Sequence, residues 1–89
     1  MNTLQKIIDT VHEVDPDLEV LESTEDPNPD VEEYIVRSDS EWFILISYDT
    51  IEREAFAQLF SDEEEEVRLE GDLDNWVLPN LISVLERIT

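Results

Sequence analysis

The sequence predicts an α+β fold: a two-layer domain in which helices pack on an antiparallel sheet of three to four strands, in the order α-βββ-α-(β)-α. Three observations predict it. Apolar residues near both ends of the sequence recur at helical spacing. Between them, two short runs read as strands joined by a small polar loop. And 40% of the 89 residues are hydrophobic, enough for one core and therefore for a single domain over 1–89. The 34% charged fraction alone would suit a disordered chain, but these apolar residues are clustered and periodic.

Leu4, Ile7, Ile8 and Val11 follow the i, i+3, i+4, i+7 pattern of an amphipathic helix. Asn2 is its expected cap, with Gln5 as the capping-box partner, and Pro16 ends it by about Val14. His12 falls in the last turn, where the helix dipole favours a cation. As the sole histidine, in a chain without cysteine, it reads as a surface residue. Leu18 to Ser23 is a predicted strand with Leu18 and Val20 on one face, and the prolines and acids of 24–30 mark a loop. Val31–Arg37 and Trp42–Tyr48 are the clearest strands, joined by the four-residue loop Ser38-Asp39-Ser40-Glu41.

Asp49 or Thr50 is the expected cap of a middle helix, with Glu52 as box partner and Ile51, Ala55, Phe56, Leu59 and Phe60 as its apolar stripe. From Ser61 two readings compete. Ser61 and Glu64 resemble another capping box, whereas Val67-Arg68-Leu69 alternates like a short strand ending at Gly71; an acidic turn leading into that strand is the expectation. The last helix is expected from Asp74 or Asn75 to about Arg87, with Pro79 in its first turn and Leu78, Leu81, Ile82, Leu85 and Ile88 facing the core. Trp42 and Trp76 read as core anchors. Tyr34 reads as an aromatic on the outer sheet face, ringed by acids and suited to an interface.

Charge dominates what remains. The 25 acids against 5 bases leave a net charge of −20. On the roughly 5,400 Å² that a domain of this size exposes, that is about one net charge per 270 Å². Duplex DNA carries about one per 110 Å², so this surface approaches DNA only where its acids are gathered on one face. Two blocks stand out. No lysine or arginine lies between Lys6 and Arg37, and eight carboxylates fall within the thirteen positions from Asp62 to Asp74. The candidate partner-binding residues are Glu22, Glu25, Asp26, Asp30, Glu33 and Tyr34 from the first block. From the second they are Asp62, Glu63, Glu64, Glu65, Glu66, Glu70 and Asp72, held as a fixed acidic edge by a helix on either side. If the loop before the hairpin and the turn after the middle helix share a face, the two blocks form one negative surface. Such a surface repels nucleic acid and anionic membranes and attracts basic proteins.

Other chemistries lack their parts. There are no cysteines for a disulfide, and the single glycine, Gly71, excludes a glycine-rich phosphate loop. Asp72-Leu73-Asp74-Asn75 resembles a fragment of a calcium loop without its glycine and distal glutamate. Carboxylate pairs abound, but acid–base work needs one in a dry pocket. The expectation is a protein that is not an enzyme, with no cofactor and no metal. Short apolar runs and no signal peptide point to the cytoplasm.

The chain order, the small size and the acidic block near the later helices resemble the small acidic inhibitors that phages direct against nucleic-acid enzymes, among them anti-CRISPR proteins that occupy the DNA-contacting surface of a Cas effector. A second likeness covers the first half. Leu21-Glu22-Ser23, Pro29-Asp30-Val31-Glu32-Glu33 with Ile35, Ile44-Leu45 and Tyr48-Asp49 look like the uracil-DNA glycosylase inhibitor family. That resemblance implies contacts to the DNA groove of an enzyme from Glu22, Ser23, Asp30 and Glu33. The sequence departs from it in reading the Val-Glu-Glu segment as strand rather than helix, and in ending in helices where the family has strands. Both likenesses imply DNA mimicry, with carboxylates at phosphate-like positions meeting the lysines and arginines of a Cas effector, a restriction or repair enzyme, or a nuclease. The inhibitor would be a monomer or homodimer. Competing readings are an immunity protein or antitoxin, marked by a neighbouring nuclease gene, a secretion-type chaperone, marked by a dimer with an open apolar groove, and a halophile's solvated surface, marked by folding that demands molar salt.

Overall fold

A strand with alternating side chains buries one of its two sides. The computed structural model, which describes residues 3–23, 30–62 and 64–89, has five such strands in succession. Helix α1 (Thr3–Val14) is followed by β1 (Glu19–Ser23), β2 (Val31–Arg37), β3 (Trp42–Asp49), β4 (Glu54–Ser61) and β5 (Glu64–Asp72). A π-helical turn (Leu73–Val77) then leads into α2 (Leu78–Ile88). The strands form one antiparallel sheet in the order β1-β2-β3-β4-β5.

Register decides what each face carries. Val20, Val36, Ile44, Leu59 and Val67 align across all five strands, and Tyr34, Ile46, Ala57 and Leu69 form the next inward row. Ile7 and Val11 of α1 and Leu81, Val84 and Leu85 of α2 close over these rows to make one core. Both helices therefore lie on the same side of the sheet. At the end of α1, the Asp15 side chain accepts from the Asp17 N–H at 2.9 Å, and His12 Nε2 donates to the Leu18 carbonyl at 3.0 Å. These bonds turn the chain into β1. The expected Asn2 cap lies outside the described residues.

The architecture is α+β, as the sequence predicts, but the sheet has five strands and the middle helix does not exist. Ile51, Ala55, Phe56, Leu59 and Phe60 fit helical spacing, yet Ala55, Ala57 and Leu59 also fit period two, with Phe56 and Phe60 on the opposite side. A strand that is apolar on both sides mimics a helix in sequence. The local signal at Asp49 is nevertheless real. Its side chain accepts from the N–H groups of Ile51 (2.9 Å) and Glu52 (3.0 Å), and the Arg53 N–H closes a single helical turn onto the Asp49 carbonyl at 2.8 Å. Arg53 then adopts φ 59° and reverses the chain into β4. The cap starts a hairpin loop instead of a helix.

The acidic run at Ser61–Glu66 is correspondingly flanked by strands, not helices. Ser61 pairs with Glu64 across the β4–β5 turn, and Asp62 takes φ 52°. The strand after it is longer than Val67–Leu69, with a register irregularity beside Phe60 that leaves Glu66 unpaired opposite β4. The last helix begins later than the sequence suggests. Asp72 caps the preceding π-helical turn by accepting from the Asn75 N–H at 2.8 Å, and Pro79 stands in the first turn of α2.

Gly71 is required where it stands. Its φ is 148°, and a Cβ there would lie 3.0 Å from Cδ1 of Trp76. Gly71→Ala is expected to cost about 1–3 kcal/mol in urea unfolding and to shift tryptophan emission as the Trp76 ring moves. Unchanged stability and emission would refute this account of the turn.

Candidate functional site

The side of the sheet away from the helices gathers acids from both blocks. Its outward rows run Ser23, Glu33, Ser47, Phe56, Glu70 and then Val31, Asp49, Glu54, Asp72. Asp49, Glu54 and Asp72 stand directly opposite one another on three adjacent strands. Like charges in such cross-strand positions destabilise a sheet by about 0.2–1 kcal/mol per pair. Backbone N–H groups of the adjoining turns, not cations, satisfy the carboxylates of Asp49 and Asp72. The salt bridges among the described residues do not involve this row: they join Lys6 with Asp74 (3.1 Å), Arg37 with Glu19 (3.1 Å) and Arg68 with Glu65 (3.7 Å). No charged side chain among the described residues is buried.

Of the candidate residues, Glu33, Glu65, Glu70 and Asp72 share this outward face, and Ser23 sits beside Glu33. The described residues that border the two acidic loops do not meet. Ser23 and Asp30, which flank the 24–29 segment, are at the end of the sheet where Asp49 and Glu54 lie, whereas Asp62 and Glu64 are at the opposite end. Strand direction separates them by the length of β3, about 23 Å at the usual rise. Asp30 is tied to the near end, its carbonyl accepting from the Thr50 N–H at 2.9 Å and the Thr50 hydroxyl at 3.0 Å. Glu22 is exposed on edge strand β1, its register position facing the helix side. Glu66 is exposed beside the register irregularity of β5. Glu25, Asp26 and Glu63 lie outside the described residues.

Tyr34 is not on this face. It is 2% exposed, aligned with Ile46 beneath the helices, because period two places it on the same side as Val36. Its hydroxyl donates to the Glu32 carboxylate. Burial first, and that carboxylate second, push the phenol well above its usual value of 10.0. A raised folded-state pKa contributes stability that is complete below about pH 10 and is lost as the pH climbs beyond it. Tyr34→Phe is therefore expected to flatten the alkaline decline in stability. Near neutrality it should cost about 1 kcal/mol, since the half-buried Glu32 loses its donor. Thermal unfolding curves that stay parallel from pH 8 to pH 11 would refute it.

Sequence reasoning also missed several residues. Trp76 is 53% exposed at the π-helical turn, not a core anchor, while Trp42 is half-buried against the core. Ile51 is 69% exposed at the tip of the β3–β4 loop, between Asp49 and Glu52. Both follow from reading the chain after Asp49 or Thr50, and again from Asp74 or Asn75, as regular helix. At the far end, an open groove of about 540 Å³ lies between the C-terminal ends of both helices and the β2–β3 loop, with Asp15, Asp17, Glu19 and Asp39 around Trp42 and Ile88. No helix among the described residues is long and apolar enough to cross a membrane. No family model matches the sequence, and no curated protein or solved structure matches it either.

Proposed function

We propose that this protein is an acidic inhibitor that occupies the basic nucleic-acid-binding surface of a partner enzyme, acting as a DNA mimic in the manner of phage anti-defence proteins. The observation that carries the reading is the row Asp49–Glu54–Asp72, three like charges on neighbouring strands with no cation among the described residues bridging them. A fold that only needed solubility would stagger such charges with lysine. Here the repulsion is retained, and a lysine- or arginine-lined groove relieves it on binding. The 5719 Å² surface carries about one net negative charge per 290 Å², and the outward rows concentrate it. The partner is a Cas effector, a restriction or repair enzyme, or a nuclease. The likeness to glycosylase inhibitors gains support from the strands Glu54–Ser61 and Glu64–Asp72, while Val31–Arg37 as strand and the helix Leu78–Ile88 depart from it.

The test is capture of partners on the immobilised chain from a lysate of the cells in which it acts. Capture is compared at about 0.1 M salt, where charges act over roughly 10 Å, and at 1 M, where they act over roughly 3 Å. The expected result is a nucleic-acid enzyme retained at low salt, released at high salt and displaced by duplex DNA. A partner without a nucleic-acid site, or one that duplex DNA leaves in place, would sink the proposal.

A further inference from the structure

The outward face of the sheet has an apolar centre that charge alone does not explain. Leu21, Ile35 and Leu45 align across β1, β2 and β3, and beside them the rings of Phe43 and Phe60 stack at 5.2 Å between centroids. Phe43 is 40% exposed and the others are half-buried, although both helices pack on the opposite side. An antiparallel sheet with one solvated face normally alternates polar residues outward. Here threonine or lysine would suffice, and aromatic and branched side chains stand instead. Such patches mark interaction sites. The two cations on the face are already engaged, Arg37 with Glu19 and Arg68 with both Glu65 and the Phe56 ring, 4.5 Å from its centroid. What is left around the apolar centre is a negative rim.

We infer that this face docks onto a partner protein surface of one chemistry: an apolar knob or aromatic side chain surrounded by lysines and arginines. The inference rests on the proposed function for the basic character of that partner and adds where and how it is held. A second copy of this chain is the poorer occupant. Face-to-face sheets stack about 10 Å apart, close to the screening length of about 8 Å at physiological salt, so two negative rims repel across the gap. The face measures roughly 19 by 23 Å from strand spacing and rise, about half of the ~800 Å² that each partner commonly contributes. The acidic ends of the sheet supply the remainder. Apolar contacts at the centre slow dissociation, while the rim speeds association.

The experiment places a photo-reactive benzoylphenylalanine at Phe43 or, as a control, at Glu86, which is exposed on α2. Each chain is irradiated in the same lysate at low salt, and the adducts are identified by mass. The expected result is an adduct to a basic nucleic-acid-binding protein from position 43 only, abolished by excess unmodified chain. No adduct from 43, an adduct to a second copy, or equal adducts from both positions overturns the inference. A DNA-displaceable enzyme that cross-links only through position 86 leaves the proposed function standing and removes this face. A position-43 adduct to a basic protein without a nucleic-acid site keeps the face and removes the function. With the partner in hand, Phe43→Thr combined with Leu45→Thr keeps strand-forming residues and is expected to raise the dissociation rate about 100-fold, with the salt dependence of association unchanged.

Discussion

Ile46→Ala is expected to lower stability by about 3–4 kcal/mol, the usual cost of a fully buried isoleucine whose neighbours cannot collapse into the space. Ile46 is 0% exposed on the central strand, between Tyr34 on β2 and Ala57 on β4. A domain of this length has a total stability of about 4–13 kcal/mol, so the loss is a large share of it. The midpoint of thermal unfolding should fall by more than about 10 °C. Phe43→Ala is the internal control, because the same strand turns this residue outward, and it should cost less than half as much. Equal costs at 43 and 46 would mean that the two faces of the sheet are covered alike, and the docking face would go with them.

Raising the salt concentration fourfold, from about 50 to about 200 mM, is expected to weaken partner binding roughly 100-fold. A protein that makes six or more phosphate contacts loses about 10³-fold or more on duplex DNA over this range, because condensed counterions return to the DNA. A folded mimic has no condensed layer of that density, so its salt dependence is shallower. Glu54 then gives the sharper measurement, since it stands between Asp49 and Asp72. Glu54→Gln removes two cross-strand repulsions and is expected to stabilise the free protein by a few tenths of a kcal/mol to about 1 kcal/mol. It should also weaken binding several-fold, mainly through slower association. Opposite signs for stability and affinity mark a charge kept for a partner. A variant that gains stability and loses no affinity would show that the row serves no binding role.

Much of the fold was legible because its signals are local. Leu4, Ile7, Ile8 and Val11 admit one period, and so do the two strands flanking Ser38–Glu41. The segment from Ile51 to Phe60 admits two periods, and local pattern cannot choose between them. The choice falls to β3 and β5, which pair with β4 on both sides through eight aligned positions each. Tyr34 failed for a related reason. Its neighbours Glu32 and Val36 share its side of the strand, and one is acidic and the other apolar, so the strand itself does not say which side is inside. The helices packed above it do.

The candidate site divides along the same line. Acids cannot be buried unpaired, so composition by itself determined that this protein has a strongly negative surface and a single apolar core within it. Composition has no direction, however. Strand polarity sends Ser23 and Asp30 to one end of the sheet and Asp62 and Glu64 to the other, and register brings Glu33, Glu65, Glu70 and Asp72 onto one outward face. Whether carboxylates from distant segments act together depends on backbone pairing between strands far apart in the chain. That pairing is a property of the folded sheet and not of any stretch of sequence.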